Sequence, residues 1–470
     1  MKKFLVSMLR FFKWLLLGTV GLVVLVLGCW FLLPDQALNP EARKILEAQP
    51  VVPAQQNAYY ALWGLTASPE LDAFAVGRKV VDAQVAAVRE KGYGAQFDPA
   101  SIEGATTYRR RVPAGTFCKS RGETAHCLTA LRAHRGELLA ELAAKDVYVR
   151  RYRGLRTYPH FEEAMAVTSA APTLDWAGIR EISELVDASI AFDMERPAQR
   201  VAALTDLLNE IKLWRLVGNE ADLLIDRIIS APLLHSKYRL FSELLAEYPE
   251  IASAQGELVA QMSAPLTAAD TDLRRALNGE FRGRAFLLQS LDSKGLPSVF
   301  SAEDHEPSNF ENLFASRLFK PNATVNLSFE NFRAAGEFYA GSAAQIESGR
   351  DAFAKTAYRF SYFDPRYQLY NPIGKILVSI ETPDSFGSYS DRLFDLMGYT
   401  RLVELQRQIA LNHIARDQVS AFVASVDVGL HDPHTGKAMT YDAATQTIWF
   451  PAKSPNFSKP GVPLAVTLAR

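Results

Sequence analysis

Polar and apolar positions alternate in blocks along this chain, and the first block is the plainest. Trp14 to Leu33 is a run of twenty residues without a charge, preceded by Lys2, Lys3, Arg10 and Lys13 and closed by Pro34 and Asp35. At about 1.5 Å per residue such a helix spans roughly 30 Å, the thickness of the hydrocarbon core of a bilayer. The run is too long for the core of a cleavable signal peptide and ends in Trp30, Phe31, Leu32 and Leu33 rather than in small residues. Gly28-Cys29 resembles a lipidation site, but the apolar run continues past it. An uncleaved membrane span is therefore the expectation. The excess of basic residues before it, against Arg43 and Lys44 after it, predicts a cytoplasmic N-terminus and an exported remainder. Gly18, Gly21 and Gly28 share one helical face, which would allow two spans to pack closely as a homodimer.

Beyond the span the apolar residues recur at helical spacing. Asn39 to Val51 reads as a helix stopped by Pro50 and Pro53. Asn57 to Leu65 reads as a second, whose Tyr59, Leu62, Trp63 and Leu65 form a core face; an interfacial belt at the bilayer is the alternative. Leu71–Lys91 and Leu128–Lys145 follow. From Asp175, a plausible N-cap, to Tyr248 the pattern gives four helices joined by short turns: one broken at Arg196-Pro197, one ended by Gly218-Asn219, a third carrying Leu223, Leu224, Ile228 and Ile229, and a fourth starting at Pro232 and ending at Pro249. Loops that short predict antiparallel neighbours. Further helices are expected over 268–289, 329–360 and 389–426, and a hairpin over Ala438–Tyr441 and Thr447–Phe450.

The expected fold is thus mainly α: an N-terminal transmembrane helix, then a multi-helix bundle or solenoid-like antiparallel array, with a short β-hairpin near the C-terminus. The segments are 1–13 (cytoplasmic), 14–33 (span), 34–165 (helical, with a cysteine loop), 166–293 (bundle), 294–430 (second helical region) and 431–470 (turn and hairpin).

Composition changes this picture little. Hydrophobic residues at 48% and charged ones at 22% describe an ordinary folded chain, and 51 Lys plus Arg against 52 Asp plus Glu leave a net charge of -1. There is no overall basic field for nucleic acid, which would in any case be on the wrong side of the membrane. Three cysteines occur. Cys29 is in the span; Cys118 and Cys127, an isolated pair in an oxidising compartment, are expected to form a disulfide closing a small polar loop, with a stabilisation of roughly 2 to 3 kcal/mol. A zinc site on these thiols with His126 and His134 is disfavoured by the adjacency of His126 and Cys127.

The strongest local charge feature is Tyr148–Tyr158, where Arg150, Arg151, Arg153 and Arg156 interleave with Tyr148, Tyr152 and Tyr158. Arginine beside aromatic rings suits capture of phosphate or carboxylate; the competing reading packs the tyrosines inward and pairs the arginines with Glu162, Glu163 and their neighbours. His431, Asp432 and His434, and Glu303-Asp304-His305-Glu306, offer metal ligands on paper but lack paired helical histidines, and Pro433 marks a turn. No Gly-x-Ser-x-Gly elbow and no glycine-rich phosphate loop occurs. No catalytic residue, cofactor or metal is assigned.

Asn57-Ala-Tyr-Tyr-Ala-Leu62, Asn371-Pro-Ile-Gly-Lys375 and Asp432-Pro-His-Thr-Gly-Lys437, together with the span, resemble uncharacterised single-pass envelope proteins of Gram-negative bacteria. The resemblance implies an inner-membrane protein with a periplasmic domain and no established activity. The expected function is a non-catalytic binding or scaffold component, with another envelope protein as partner; the alternative is an anchored enzyme acting on peptidoglycan or lipid.

Overall fold

The computed structural model describes residues 2–92, 95–105, 108–109, 126–168, 171–291, 317–356, 369–380, 386–455, 457 and 462–469. The chain is mainly helical, with one small sheet near its C-terminus. It folds into two compact units that interleave in sequence: a smaller one of Met1–Ala48, Phe281–Ala334 and Ala354–Pro383, and a larger one of Gln49–Glu280, Ala335–Phe353 and Asp384–Arg470.

In the smaller unit the first helix, Lys2–Leu32, is followed by Pro40–Glu47, where the Asn39 side chain accepts the Glu41 N–H and Pro40 stands in the first turn. This is the expected reason for a helix to begin there. Ala42 and Leu46 pack with Phe281, Ala285, Leu288, Phe319, Val325, Phe329 and Leu377 into one apolar core. The tightest point is at Pro372–Ser379. Asn371 sits in the left-handed region at φ 51°. Its Oδ1 accepts the Lys320 N–H at 2.9 Å and its Nδ2 donates to the Thr324 hydroxyl at 2.9 Å. A Cβ on Gly374 would overlap both Thr324 and Asn371, so only glycine allows this approach.

The larger unit is organised by three helices, Trp176–Met194, Arg200–Glu220 and Leu224–Glu247, which pack on one another, and by Gly387–Leu411, which packs on the last of them. Ile182, Val186, Leu204, Leu207, Ile211, Leu240, Phe241, Leu402 and Leu405 are wholly buried there. Asp175 accepts the Gly178 N–H at 3.0 Å, the expected N-cap. Tyr59, Leu62 and Trp63 are core residues, as their spacing predicts.

Pro232 corrects the pattern. Leu224–Glu247 is one helix with the proline inside it, not two helices joined there. Proline removes the N–H that would bond the Ile228 carbonyl. Arg392, far along the chain, donates to that carbonyl at 3.4 Å and takes its place. The helices expected over 128–145, 329–360 and 389–426 are each interrupted, giving Cys127–Ala133 and Arg135–Ala144, Pro321–Tyr339 and Ala343–Thr356, and Gly387–Leu411 and Val419–Ser425. The hairpin forms as β1 (Thr440–Asp442) and β2 (Thr447–Phe450), and gains an unforeseen third strand, β3 (Leu464–Thr467), antiparallel to β2. Phe450 lies over Gly398, where a Cβ would meet its ring, so the sheet is seated on the Gly387–Leu411 helix.

A charge lies at the centre of the larger unit. Lys237 is fully buried; its ammonium donates to the Ser183 hydroxyl at 2.6 Å, the Ser183 carbonyl at 3.2 Å and Asp187 at 2.6 Å. Glu210 lies 3.5 Å away and accepts the Tyr152 hydroxyl at 2.6 Å, which in turn accepts the Trp214 indole N–H at 2.9 Å. Burial holds both Asp187 and Glu210 above the usual carboxylate range despite the lysine. Removing one partner of a buried pair leaves an uncompensated charge. Lys237→Met is expected to destabilise this unit by about 3–5 kcal/mol in urea unfolding followed by tryptophan fluorescence. Lys237→Met combined with Asp187→Asn and Glu210→Gln should recover more than half of that. A single-variant loss below about 1 kcal/mol would contradict the network's role.

Candidate functional site

The first helix carries the most distinctive surface. Arg10–Leu32 is long and apolar enough to cross a membrane, with a mean hydropathy of 2.5 over its most apolar window, none of which is buried. Trp14, Leu16, Leu22 and Val24 project outward, each more than half exposed. Around Gly18, Gly21 and Gly28 a Cβ would meet open space, so that face is uncovered as well.

The exit of this helix is fixed to the smaller unit. Asp35 accepts the N–H groups of Asn322 at 2.8 Å and Ala323 at 3.0 Å, capping the helix Pro321–Tyr339 from a distant part of the chain. The Pro34 carbonyl accepts the Tyr370 hydroxyl at 2.9 Å. Asn326 accepts the Asn39 N–H at 2.8 Å and donates to the Ala37 carbonyl at 3.0 Å. The residues just after this helix are thus bound in place rather than left as a linker. Sequence reasoning saw Asp35 only as the end of the apolar run, because its partners lie almost three hundred positions away.

The arginines of 148–158 are brought close along Asp146–Gly154 and its continuation, yet each has its own protein partner. Arg151 spans a turn of backbone, donating to the carbonyls of Ala67 at 2.6 Å, Ser68 at 2.9 Å, Pro69 at 3.2 Å and Leu71 at 2.6 Å. Arg153 reaches Ser189 at 3.0 Å and Asp206 at 3.4 Å, and Arg156 reaches Asp206 at 2.8 Å. Arg150 pairs with Asp146 one turn away, in solvent. Tyr152 points inward, Tyr158 stacks on Phe74 and Tyr148 meets Tyr108 edge-on. Glu162 and Glu163 are not the arginines' partners. Glu162 accepts the N–H groups of Val51 and Val52, and Glu163 those of Asp222 and Leu223.

Cys127 is buried at the start of Cys127–Ala133, where Glu243 accepts its N–H at 2.7 Å. Its expected partner, Cys118, lies outside the described residues, as does Glu303-Asp304-His305-Glu306. In the turn at 431–437, His434 faces Asp395 at 2.7 Å, His431 faces the Gly436 carbonyl at 3.0 Å, and Asp432 accepts the His434 N–H and the Thr435 hydroxyl. Among the described residues no three His, Cys, Asp or Glu converge as a metal site.

Ser183 and Lys237 have the spacing of a nucleophile and its base. The geometry gives them another task. The lysine nitrogen is enclosed by the Ser183 hydroxyl, the Ser183 carbonyl and Asp187, and both side chains are shut off from solvent, so no substrate reaches them. The sequence signal for this network was a Ser, two acids and a Lys within otherwise apolar helical faces.

The second buried polar group is a carboxyl pair. Burial pushes Glu163 well above the usual range, aided by the charge of Asp226, and pushes Asp226 up to about 6. Glu280, Asp222 and Arg275 are the other charged groups around them, Arg275 being paired to Asp222 at 2.7 Å.

No family model, no curated protein and no solved structure matches this chain.

Arg151→Gln strips the carbonyls of Ala67, Pro69 and Leu71 of their donor, Ser68 keeping the Leu71 N–H, and is expected to cost about 2 kcal/mol in thermal or urea unfolding, whereas Arg150→Gln should cost less than about 0.5 kcal/mol. Equal effects would show that the backbone clasp contributes nothing. The carboxyl pair gives a pH dependence. A carboxyl whose pKa is raised on folding binds its proton more tightly in the native state, so its contribution is complete below about pH 4 and is lost as pH rises through about 6, at roughly 1.4 kcal/mol for each tenfold gain in proton affinity. The larger unit should therefore gain stability as pH falls from 7 to 5, and Asp226→Asn, neutral throughout, should flatten that rise. An unchanged slope in the variant would refute the assignment.

Proposed function

We propose that this protein is a single-pass inner-membrane protein of the bacterial envelope whose folded bulk lies on the periplasmic side and serves as a non-catalytic binding or scaffold component. The observation that carries the reading is the uncovered apolar surface of Arg10–Leu32. Transferring such surface out of water is worth about 25 cal/mol per Å², and a lipid tail region is where every backbone group of a helix remains satisfied. Lys2, Lys3, Arg10 and Lys13 before the span argue for a cytoplasmic N-terminus.

Two features support a scaffold. The span continues into a capped, hydrogen-bonded junction in the smaller unit, which suits a protein that holds a position at the membrane surface. The larger unit, read as an antiparallel helical array, directs its most chemically suggestive groups inward, where they brace helices. The partner in this reading is another envelope protein. The pairing of Cys118 with Cys127 belongs to the same proposal, since it requires an oxidising compartment.

Alkaline phosphatase fused at the C-terminus is expected to be active and a green fluorescent protein fused there to be dark. Cys118 and Cys127 should resist alkylation in intact cells until a reductant is added. A cytoplasmic reporter signal would overturn the topology and the disulfide together. Crosslinking in intact cells should recover one stoichiometric envelope partner; substrate turnover by the purified full chain on peptidoglycan or lipid would replace the scaffold reading with an enzymatic one.

A further inference from the structure

A cavity of about 240 Å³ opens in the larger unit between the end of Leu224–Glu247, the C-terminus of Gly387–Leu411 and the sheet. Its lining is mixed, with Leu245, Ile409, Ile414 and Leu468 making an apolar side beside polar groups. The two glutamines on it are already committed. Gln406 donates to the carbonyls of Ser242 at 2.9 Å and Thr467 at 2.7 Å, and Gln446 donates to Ala443 at 2.6 Å and accepts from the Tyr441 hydroxyl at 3.2 Å. The remaining polar side chains on the rim are those of His413 and Arg416. Both are exposed, and neither side chain makes a hydrogen bond or ion pair with any described residue.

The backbone of this rim is unusual in the same place. Gly387–Leu411 ends with the Ile414 N–H bonded to the Ile409 carbonyl at 3.1 Å and the His413 N–H to that of Ala410 at 3.4 Å. That is a Schellman ending, whose left-handed position normally belongs to glycine. Here it is occupied by His413 at φ 51°, and Gln446 across the cavity is left-handed too, at φ 54°. Among the described residues these are two of the three non-glycine positions with positive φ, and both face one cavity. Strain of this kind gathers where a side chain is needed for more than the fold.

We infer that this cavity binds a small amphiphilic carboxylate, its apolar tail between Leu245, Ile409, Ile414 and Leu468 and its carboxylate on Arg416, with His413 as a second donor. An arginine fork matches a carboxylate in two hydrogen bonds, and an open arginine beside an apolar hole supplies both halves of such recognition. The size sets the tail: a dry cavity of about 150 Å³ already takes a benzene ring, and drug-sized ligands need roughly 300 Å³ or more, so one ring or a short chain fits.

The test uses the full chain in phosphatidylcholine nanodiscs, titrated calorimetrically at pH 7.5 with octanoate, phenylacetate and neutral octanol, with empty discs subtracted. Saturable one-to-one binding of octanoate or phenylacetate is expected, at least tenfold tighter than octanol, with hydrogen-exchange protection at residues 406–419. Arg416→Gln, an exposed change, should weaken it at least tenfold. His413→Gly should raise the thermal midpoint while weakening binding several-fold, an opposition that a purely structural histidine would not produce. The proposal fails if neither carboxylate saturates, if octanol binds as well, or if Arg416→Gln binds like the wild type.

Discussion

Burying an ammonium without water is costly unless every proton on it finds an acceptor, and the larger unit is arranged around meeting that condition at Lys237. The three acceptor contacts come from Ser183 and Asp187, one turn apart on Trp176–Met194, while Glu210 brings in Arg200–Glu220 and, through Tyr152, the helix Asp146–Gly154. The partners of this lysine sit on two neighbouring helices, so it joins one turn of each at the centre. The network ties these turns together, while the surrounding leucines and isoleucines supply the bulk of the burial.

The smaller unit meets a different constraint. Its first helix has an apolar surface that its own fold leaves uncovered, so the polar end of that helix must be well satisfied where it enters the folded part. Asp35 does this by serving a second helix: one carboxylate takes two N–H groups at the start of Pro321–Tyr339, as an N-cap residue would, from outside the segment. Asn371 performs a related task beside it, linking the Lys320 N–H and the Thr324 hydroxyl. The junction is thus held by short polar side chains closing helix ends, an arrangement that tolerates little lengthening.

What the sequence conveyed follows from range. Local signals were legible: the apolar span, the apolar faces of the long helices, the caps at Asn39 and Asp175, and two of the three strands. The misreadings were non-local. Pro232 orphans the Ile228 carbonyl, and Arg392 bonds it from more than 160 residues away, which no local pattern announces. Arg151 stood in the sequence between anion capture and pairing within the protein, and its four acceptors are carbonyls of a distant turn, which no side-chain pattern announces. β3 has four residues and no turn signal of its own. The three motifs behind the resemblance share one property: Asn57 clasps the backbone of Glu162, Asn371 ties two helix ends, and Asp432 closes a turn, so each is turn-forming hardware rather than chemistry.

The polar groups of the larger unit sort by whether they are closed on the protein. Lys237, Arg151 and Glu163 are fully occupied, and what they hold is helix position or backbone. His235 is buried in a different way: it is wedged between Tyr399 and Phe457, with ring centroids 4.6 Å from each, and neither ring nitrogen has a hydrogen-bond partner among the described residues. Burial pushes its pKa down to about 3. It is a neutral aromatic plate at any physiological pH, so proton-linked change in this region falls to carboxyls such as Asp226 instead. His413 and Arg416 are exposed donors without an acceptor among the described residues, beside a cavity with both aliphatic and polar lining. Exposed cations such as Lys79 and Arg89 are equally open, so what sets His413 and Arg416 apart is the cavity beside them. The residues that look most like chemistry in the sequence brace the helices, and those left for a ligand stand at a helix end where glycine would have been the cheaper choice.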